Sequence, residues 1–442
     1  MNNEEYWDEL ELEQEEESWE ELQRGEKTAL IAALIPPRES EEDTQASLNE
    51  LERLADTAGI AILGRYTQRR AHPERSTYFG KGFLEDLGIK ISQAQADILI
   101  VNDELTPVQG RNIEDTFQIK VIDRTEVILD IFHNHARSKE AKLQVKLAEL
   151  QYQLPRLRRI WAHYDQERGS MRAGGGAASR GTGEKQIEID KRLIRQKIRK
   201  INRAIDQISA QKETQRKQRE NSKKICIVGY TNAGKSTLFN RLTDAGVLVE
   251  DRLFATLDST SRQLKLSTGA PAVLSDTVGF ISNLPHHLVA SFRATLMEAV
   301  DADLLLHIVD ISDERHEYYV NEVNDVLGSI GAMDIPQIIV LNKTDLVDSS
   351  LTKILSKYYE DAVAISAVKN KGIEELLQKI EEVLMENRLY HLHLPYTQNA
   401  LISRLHEIGK ITQEDYKEDG IYLSVILGIS DRYLIQEYIV PK

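Results

Sequence analysis

One stretch of the chain, Lys224–Thr237 (KICIVGYTNAGKST), constrains the fold more than any other. A short apolar run leads to Gly229 and Gly234, which fit the spacing G-x-x-x-x-G-K-[ST], and a helical periodicity follows. In such a loop, backbone N–H groups and the helix N-terminus bind phosphate. We therefore predict an α/β nucleotide-binding domain in which Lys235 reaches the β- and γ-phosphates and the Ser236 hydroxyl binds magnesium.

Three further motifs follow in the order that this class of domain requires. The run D-T-V-G follows an apolar strand, so Asp276 is expected to hold magnesium through water and Gly279 to sense the γ-phosphate. The run N-K-T-D ends at Asp345, whose carboxylate can accept hydrogen bonds from the N1–H and exocyclic amine of guanine, which adenine lacks. Ser366-Ala367 closes another strand and is expected to place a backbone N–H on guanine O6. These motifs predict GTP as the nucleotide.

The segment between the first two motifs contains Thr256, the candidate second magnesium ligand and a γ-phosphate contact. The alternative is a solvated loop threonine. Lys235, Thr256 and Gly279 are the predicted catalytic residues. The complete predicted nucleotide site is Gly229, Tyr230, Thr231, Asn232, Ala233, Gly234, Lys235, Ser236, Thr237, Phe254, Ala255, Thr256, Leu257, Asp258, Asp276, Thr277, Val278, Gly279, Asn342, Lys343, Thr344, Asp345, Ser366, Ala367 and Val368.

Length and composition bound the class of protein. A chain of 442 residues suggests two to four domains. Its longest apolar run, Ala29–Ile35, is far shorter than the roughly 20 residues that cross a bilayer. The single cysteine, Cys226, excludes disulfides and a cysteine zinc site. We expect a cytoplasmic, monomeric protein without a membrane partner; a membrane-recruited signalling GTPase is disfavoured because the chain has no lipidation site.

Charge is distributed unevenly along the chain. The whole chain has a net charge of −15. Residues 1–48 contain 16 Asp and Glu against 3 Lys and Arg. The acidic leader, residues 1–26, is interpreted as disordered, and the alternative is a helix that mimics nucleic acid and shields a basic surface. Residues 27–136 alternate apolar strands with amphipathic helices, which predicts an N-terminal domain with a parallel sheet.

The next predicted domain, residues 137–221, is strongly basic. Its residues 137–220 contain 22 Lys and Arg against 10 Asp and Glu. Leucines and then isoleucines recur at helical spacing, which predicts a long antiparallel helical hairpin. Its tip, Trp161–Glu184, combines glycines, arginines and aromatic rings that suit contacts with folded RNA. The alternative is solvated basic helices joined by a glycine linker. The candidate RNA-binding residues are Arg168, Arg172, Arg180, Gly174, Gly175 and Gly176.

Residues 222–388 form the predicted Ras-like GTP-binding domain, and residues 389–442 a small α/β domain. Phe280 follows the D-T-V-G run, where many signalling GTPases carry the glutamine that orients the attacking water. A phenylalanine cannot offer that hydrogen bond. We therefore expect slow hydrolysis unless another group, an ion or a partner completes the site.

The arrangement resembles the HflX family of translation-associated GTPases over nearly everything after residue 27. The resemblance is carried by a small set of runs: Asp123-Arg124-Thr125, Ile128-Leu129-Asp130-Ile131-Phe132, Leu143-Gln144-Val145, Leu154-Pro155-Arg156-Leu157, Gly229–Thr237, Phe254–Asp258 and Asp276–Ile281. It implies an N-terminal α/β domain with a helical hairpin, a GTPase domain, and action on the large ribosomal subunit near its peptide-bond-forming centre. It further implies that the GTP-bound protein splits stalled or idle ribosomes.

Two further expectations come from this likeness. By analogy with related GTPases, Asn232 is a catalytic candidate that could coordinate a potassium ion. The family usually has Gly-Pro-Gly-Glu at the end of the hairpin tip, whereas this chain has Gly181-Thr182-Gly183-Glu184 and is expected to have a less rigid tip. The alternative function is an RNA-binding assembly factor whose GTPase times its release from maturing large subunits.

Overall fold

The computed structural model describes residues 27–37, 40–156, 179–217, 222–243, 253–254, 260–266, 271–282, 293–359, 362–385, 387–417, 419–428, 431 and 434–440. The chain divides into two compact units. The first comprises Met1–Ile131 and Pro155–Gly183, and the second comprises Phe132–Leu154 and Glu184–Lys442. No helix in the described part of the chain is long and apolar enough to cross a membrane.

The first unit is built on a four-stranded parallel sheet in the order β2-β1-β3-β4. Its elements are β1 (Lys27–Ile35), α1 (Glu41–Thr57), β2 (Ile60–Arg69), α2 (Lys81–Ala94), β3 (Ile98–Val101), α3 (Pro107–Phe117), β4 (Lys120–Asp123) and the first part of α4 (Arg124–His135), whose residues from Phe132 onward belong to the second unit. The central strands β1 and β3 are almost wholly apolar and buried, as expected of parallel strands covered on both faces. The predicted βαβ alternation with a parallel sheet is confirmed.

The start of α4 is fixed by Asp123, the last residue of β4. Its Oδ1 accepts a hydrogen bond from Glu126 N (3.0 Å) and its Oδ2 accepts one from Leu105 N (3.0 Å). Arg156 Nη2 donates to Leu105 O (2.7 Å) and lies 3.4 Å from Asp123 Oδ2. Burial raises the pKa of the Asp123 carboxyl to about 6. Two of the runs that carry the family resemblance, those containing Asp123 and Arg156, therefore meet in one structural contact.

Two long helices follow, α5 (Lys139–Gln153) and α6 (Ser179–Lys217). In α6 the residues Ile194, Ile198, Ile201, Ile205 and Ile208 are half-buried, which fits the predicted apolar stripe. One expectation was wrong: the segment Gly181–Glu184 and Arg180 are helical and do not belong to an irregular tip. Two glycines cost about 1 kcal/mol each in a helix, and 39 residues of continuous helix outweigh that cost. The other predicted tip residues, Arg168, Arg172 and Gly174–Gly176, lie outside the described residues.

The second unit contains a six-stranded sheet in the order β10-β9-β8-β5-β7-β6, parallel except for β6. Its elements are β5 (Lys223–Gly229), α7 (Lys235–Thr243), β6 (Thr260–Lys265), β7 (Pro271–Asp276), α8 (Arg293–Val300), β8 (Leu304–Asp310), α9 (His316–Ile330), β9 (Gln337–Asn342), α10 (Ser349–Tyr358), β10 (Val363–Ala364) and α11 (Ile373–Met385). Buried residues of β5, β7, β8 and β9 pack with α7 and α11 into one core. The predicted α/β fold class is confirmed.

A small antiparallel sheet in the order β11-β13-β12 ends the chain. Its strands are β11 (Asn387–Leu394), β12 (Lys410–Lys417) and β13 (Gly420–Gly428), and helix α12 (Asn399–Ile408) lies between β11 and β12 in the chain. Leu405 of α12 packs with Leu392, Leu423 and Val425 in a separate core. The two apolar strands and the helix match the predicted small α/β domain, and the polar strand β12 was not predicted.

Candidate functional site

The phosphate-binding segment connects the end of β5 to the start of α7, as the motif requires. Lys235 is the first residue of α7; it is buried, and its Nζ donates to the Tyr230 carbonyl (2.7 Å). Burial lowers the pKa of Lys235 to about 8, and the nearby Asp276 carboxylate opposes that shift. The positive charge is therefore held inside the loop beside the helix N-terminus, where a phosphate would favour it.

Two glycines are required by close approaches within the site. Gly234 has φ +95°, and a Cβ at this position would lie 2.2 Å from Asn342 Nδ2. A Cβ at Gly279 would lie 2.8 Å from Thr231 Cα and 2.9 Å from Lys235 Nζ. Both contacts are too short for any side chain. The absence of a side chain thus allows the D-T-V-G motif to lie directly against the phosphate-binding segment.

Two of the three residues predicted to hold magnesium, Ser236 and Asp276, lie next to each other. Ser236 Oγ donates to Asp276 Oδ2 (2.8 Å), and Asp276 is fully buried. Burial raises the pKa of Asp276 to about 6, against the effects of Lys235 and Ser236. Within the described residues the other oxygen, Oδ1, has no hydrogen-bond partner. A buried carboxylate oxygen without a donor, beside a serine hydroxyl, is a donor set that suits a hard divalent cation.

The segment after Gly279 is hydrogen-bonded to the phosphate-binding segment. Thr231 N donates to Phe280 O (2.7 Å) and Phe280 N donates to Gly229 O (3.1 Å). Ser282 N donates to the Tyr230 hydroxyl (2.6 Å), and the Tyr230 ring stacks on Tyr319 with centroids 4.1 Å apart. The Phe280 side chain is buried. Phe280 therefore contributes its backbone to this connection while its ring belongs to the packed interior.

Phe254 joins the phosphate-binding segment to the end of helix α4. Its N–H donates to Thr231 Oγ1 (3.2 Å), and its backbone is left-handed with φ 56°. Its ring packs edge-on against Phe132 with centroids 4.7 Å apart, and its carbonyl lies 2.8 Å from His135 Nδ1. Ala255, Thr256, Leu257 and Asp258 lie outside the described residues. Phe254, two residues before Thr256, is therefore held by Thr231 on one side and by helix α4 on the other.

The predicted base-reading residues are also connected to each other. Asn342 Nδ2 donates to Ala233 O (2.9 Å), and Asn342 Oδ1 accepts from Ala367 N (3.1 Å). The Ser366 hydroxyl donates to Asp345 Oδ1 (2.6 Å), which is the main reason that the pKa of Asp345 is lowered. An ionised carboxylate accepts through about four lone pairs, so this bond leaves Asp345 free to accept from a base as well.

Comparison with known proteins decides the family. Residues 45–133 match the family model described as GTP-binding GTPase N-terminal. Residues 135–219 match GTP-binding GTPase Middle Region, and residues 224–343 match 50S ribosome-binding GTPase. The GTPase HflX of Caldanaerobacter subterraneus subsp. tengcongensis is 41% identical over 424 residues, covering 95% of this chain and 96% of the relative. The chain belongs to the HflX family of GTPases.

Another relative agrees with this membership. The GTPase HflX of Escherichia coli is 38% identical over 413 residues, covering 92% of this chain and 95% of the relative. A solved GTP-binding protein from Sulfolobus solfataricus in complex with GDP is 25% identical, with a TM-score of 0.42, covering 80% of this chain and 98% of that one. Membership of the HflX family makes the chain a nucleotide-binding enzyme that hydrolyses GTP.

The described residues of this HflX-family site converge at one edge of the sheet. The four motifs follow the carboxyl ends of β5, β7, β9 and β10, which are parallel, so they meet where α/β proteins bind ligands. Asn232 is half-buried with a left-handed backbone (φ 61°). Lys343 forms an ion pair with Asp310 (2.6 Å), and the Thr277 hydroxyl donates to Ile227 O (2.7 Å).

Sequence reasoning missed three residues that support the site in this HflX-family chain. Arg241 donates to the carbonyls of Ala367 and Val368, Tyr319 stacks on Tyr230, and His135 contacts the Phe254 carbonyl. Each contact joins residues more than 80 positions apart in the chain. No local motif surrounds any of the three, so only the fold could bring them to the site.

Proposed function

We propose that the chain binds GTP with Mg²⁺ at this site and acts as a nucleotide-dependent switch on the large ribosomal subunit, splitting stalled or idle ribosomes. The observation that carries the proposal is the convergence of the phosphate, metal and base motifs in a chain whose GTPase domain matches the 50S ribosome-binding family model. Ribosomes would be both the target and the activator, and the site of action would be the cytoplasm.

The site suggests roles for the phosphate-binding and metal-binding motifs. Lys235 would bind the β- and γ-phosphates, because its ammonium is buried and already directed at the loop. Ser236 and Thr256 would bind Mg²⁺ directly and Asp276 through water. When bound, the metal ion would neutralise charge on the phosphate oxygens. Gly279 would contribute its backbone N–H to the γ-phosphate, since its lack of a side chain brings the backbone against Thr231.

Hydrolysis by the isolated chain should be slow. The buried ring of Phe280 offers no hydrogen bond to an attacking water, and its backbone is held by Gly229 and Thr231. Asn232 would coordinate a potassium ion that substitutes for an activating arginine. Equal hydrolysis rates in sodium and potassium salts would contradict this part of the proposal.

The basic helix α6 supports an RNA partner. Outside its isoleucine stripe it exposes several cationic side chains, which would contact phosphate groups of ribosomal RNA. The exposed members are Arg192, Arg195, Lys197, Arg199, Lys200 and Arg203. Arg168, Arg172, Arg180 and Gly174–Gly176 are proposed to extend this RNA-binding surface. Reversing the charge of Arg168 and Arg172 should weaken ribosome binding by about tenfold or more, and unchanged binding would contradict their role.

Sucrose-gradient sedimentation tests the proposed activity. Purified intact ribosomes are incubated with the protein and either GTP, a non-hydrolysable GTP analogue or GDP. We expect free subunits to appear with GTP and with the analogue, and intact ribosomes to persist with GDP. Binding only to precursor large subunits, without disassembly of intact ribosomes, would instead support an assembly factor whose GTPase times its release.

A further inference from the structure

Arg241, near the end of helix α7, contacts the loop that follows β10. Its Nε donates to the Ala367 carbonyl (3.0 Å) and its Nη2 donates to the Val368 carbonyl (3.1 Å). A guanidinium is a planar fork with fixed donor directions, so two bonds to successive carbonyls define the orientation of both peptide planes. The side chain is exposed, and neither carbonyl it binds belongs to its own helix.

The second peptide plane, which contains the Val368 carbonyl and the Lys369 N–H, is linked to Asp345 by two more hydrogen bonds. In a trans peptide the carbonyl and the N–H point in opposite directions, so the bond from Arg241 to Val368 O directs the Lys369 N–H away from Arg241. That N–H donates to Ser366 Oγ (3.1 Å), and the Ser366 hydroxyl donates to Asp345 Oδ1 (2.6 Å). The N–H of Ala367, which belongs to the preceding peptide plane, donates to Asn342 Oδ1 (3.1 Å).

We infer that Arg241 is a positioning residue for guanine specificity: it orients the Ala367–Lys369 backbone and, through Ser366, the Asp345 carboxylate. This inference rests on the proposed function, GTP binding, and on the base contacts predicted from the sequence: Asp345 accepts from the N1–H and 2-amine of guanine, and a backbone N–H of Ser366-Ala367 donates to O6. Arg241 does not contact the base in this scheme. Its effect falls on selectivity between bases, because the atoms it orients are those that distinguish guanine.

The test measures the affinities of GDP, inosine diphosphate and ADP for the full chain and for the variants Arg241→Ala and Arg241→Lys. Inosine lacks the 2-amine, and adenine lacks the amine, the N1–H and O6. Arg241→Ala should lower the affinity for GDP about tenfold, the affinity for inosine diphosphate less, and the affinity for ADP not at all. Each lost hydrogen bond costs about 1 kcal/mol, which is a several-fold change in affinity. Arg241→Lys should give an intermediate loss, because a point charge cannot hold both carbonyls.

Arg262→Ala is the matched control, since Arg262 is an exposed arginine on β6 whose Nη1 bonds only its neighbour's carbonyl, Ser261 O, among the described hydrogen bonds. This variant should bind all three nucleotides like the wild type. An equal loss of all three nucleotides in Arg241→Ala, or no loss, would overturn the inference. A wild type that binds GDP and ADP alike would instead refute the proposed base site, and with it this role of Arg241.

Discussion

At the scale of single residues, Gly234 gives the sharpest prediction. Gly234→Ala should lower GDP affinity at least about tenfold, because the new methyl group would lie 2.2 Å from Asn342 Nδ2 and the backbone φ of +95° disfavours alanine. Isothermal titration calorimetry measures the loss. Gly82→Ala is the control: Gly82 lies in helix α2, where an added Cβ meets nothing within 4 Å. Full GDP affinity in Gly234→Ala would contradict the close packing of Gly234 against Asn342 of the N-K-T-D run.

His307 in β8 predicts a dependence of stability on pH. Burial lowers its pKa to about 4, with Lys235 adding to the shift and Gln337 opposing it. Since the folded pKa lies below the unfolded value near 6.5, the unfolded state takes up the proton first, and stability is lost as the pH falls from about 6.5 towards 4. Above pH 6.5 the neutral imidazole carries no such penalty.

The measurement compares wild type with His307→Asn by urea unfolding followed with circular dichroism at pH 7 and pH 5. On moving to pH 5 the wild type should lose roughly 2 kcal/mol more free energy of unfolding than the variant. The comparison is needed because the buried carboxyls Asp123, Asp276 and Asp303 have raised pKa values and act in the opposite direction. An equal loss of unfolding free energy in both proteins would show that His307 is already protonated in the folded state at pH 5.

At the scale of elements, the contact between helix α4 and Phe254 predicts an effect on GTP in preference to GDP. Phe254 lies two residues before Thr256, and Phe254→Ala removes the ring that packs on Phe132. Because Thr256 is proposed to contact the γ-phosphate and Mg²⁺, the ratio of GTP-analogue to GDP affinity should fall several-fold, while GDP affinity changes little. Fluorescent nucleotide titration measures both affinities.

His135→Ala should shift the same ratio in the same direction, because it removes the partner of the Phe254 carbonyl. Phe83→Ala is the control, since Phe83 packs on Phe79 in the first unit and contacts none of the described site residues. If Phe254→Ala weakened GTP analogue and GDP equally, the contact would serve the fold of the domain and not the switch segment.

The elements that the sequence predicted well are those with a strong apolar pattern. The buried strands β1, β5 and β8 match their apolar runs closely, and the phosphate, metal and base motifs follow the strands expected. Helix α4 was missed because its start depends on Asp123, whose capping role is invisible without Leu105 and Arg156. The polar edge strands β6 and β12 carry charges typical of exposed edges, which hide the strand signal.

The site itself was predictable where a single motif contains both its chemistry and its geometry, as for Lys235 and Ser236. Its supporting contacts were not, because Arg241, Tyr319 and His135 each act on a segment distant in sequence. The start of α6 at Ser179 was also misjudged, since glycines at 181 and 183 are typical of a turn. The domain boundaries and the RNA-binding role of the hairpin tip stay predictions.

At the scale of the whole molecule, the central claim is that guanine nucleotide controls the affinity of this HflX-family chain for large ribosomal subunits. The most direct measurement is co-sedimentation of the full chain with purified large subunits in the presence of a non-hydrolysable GTP analogue, GDP, or the matching ATP analogue. We predict binding at least about tenfold tighter with the GTP analogue than with GDP, as a switch requires, and no enhancement with the ATP analogue. Equal binding in all three nucleotide conditions would contradict the account.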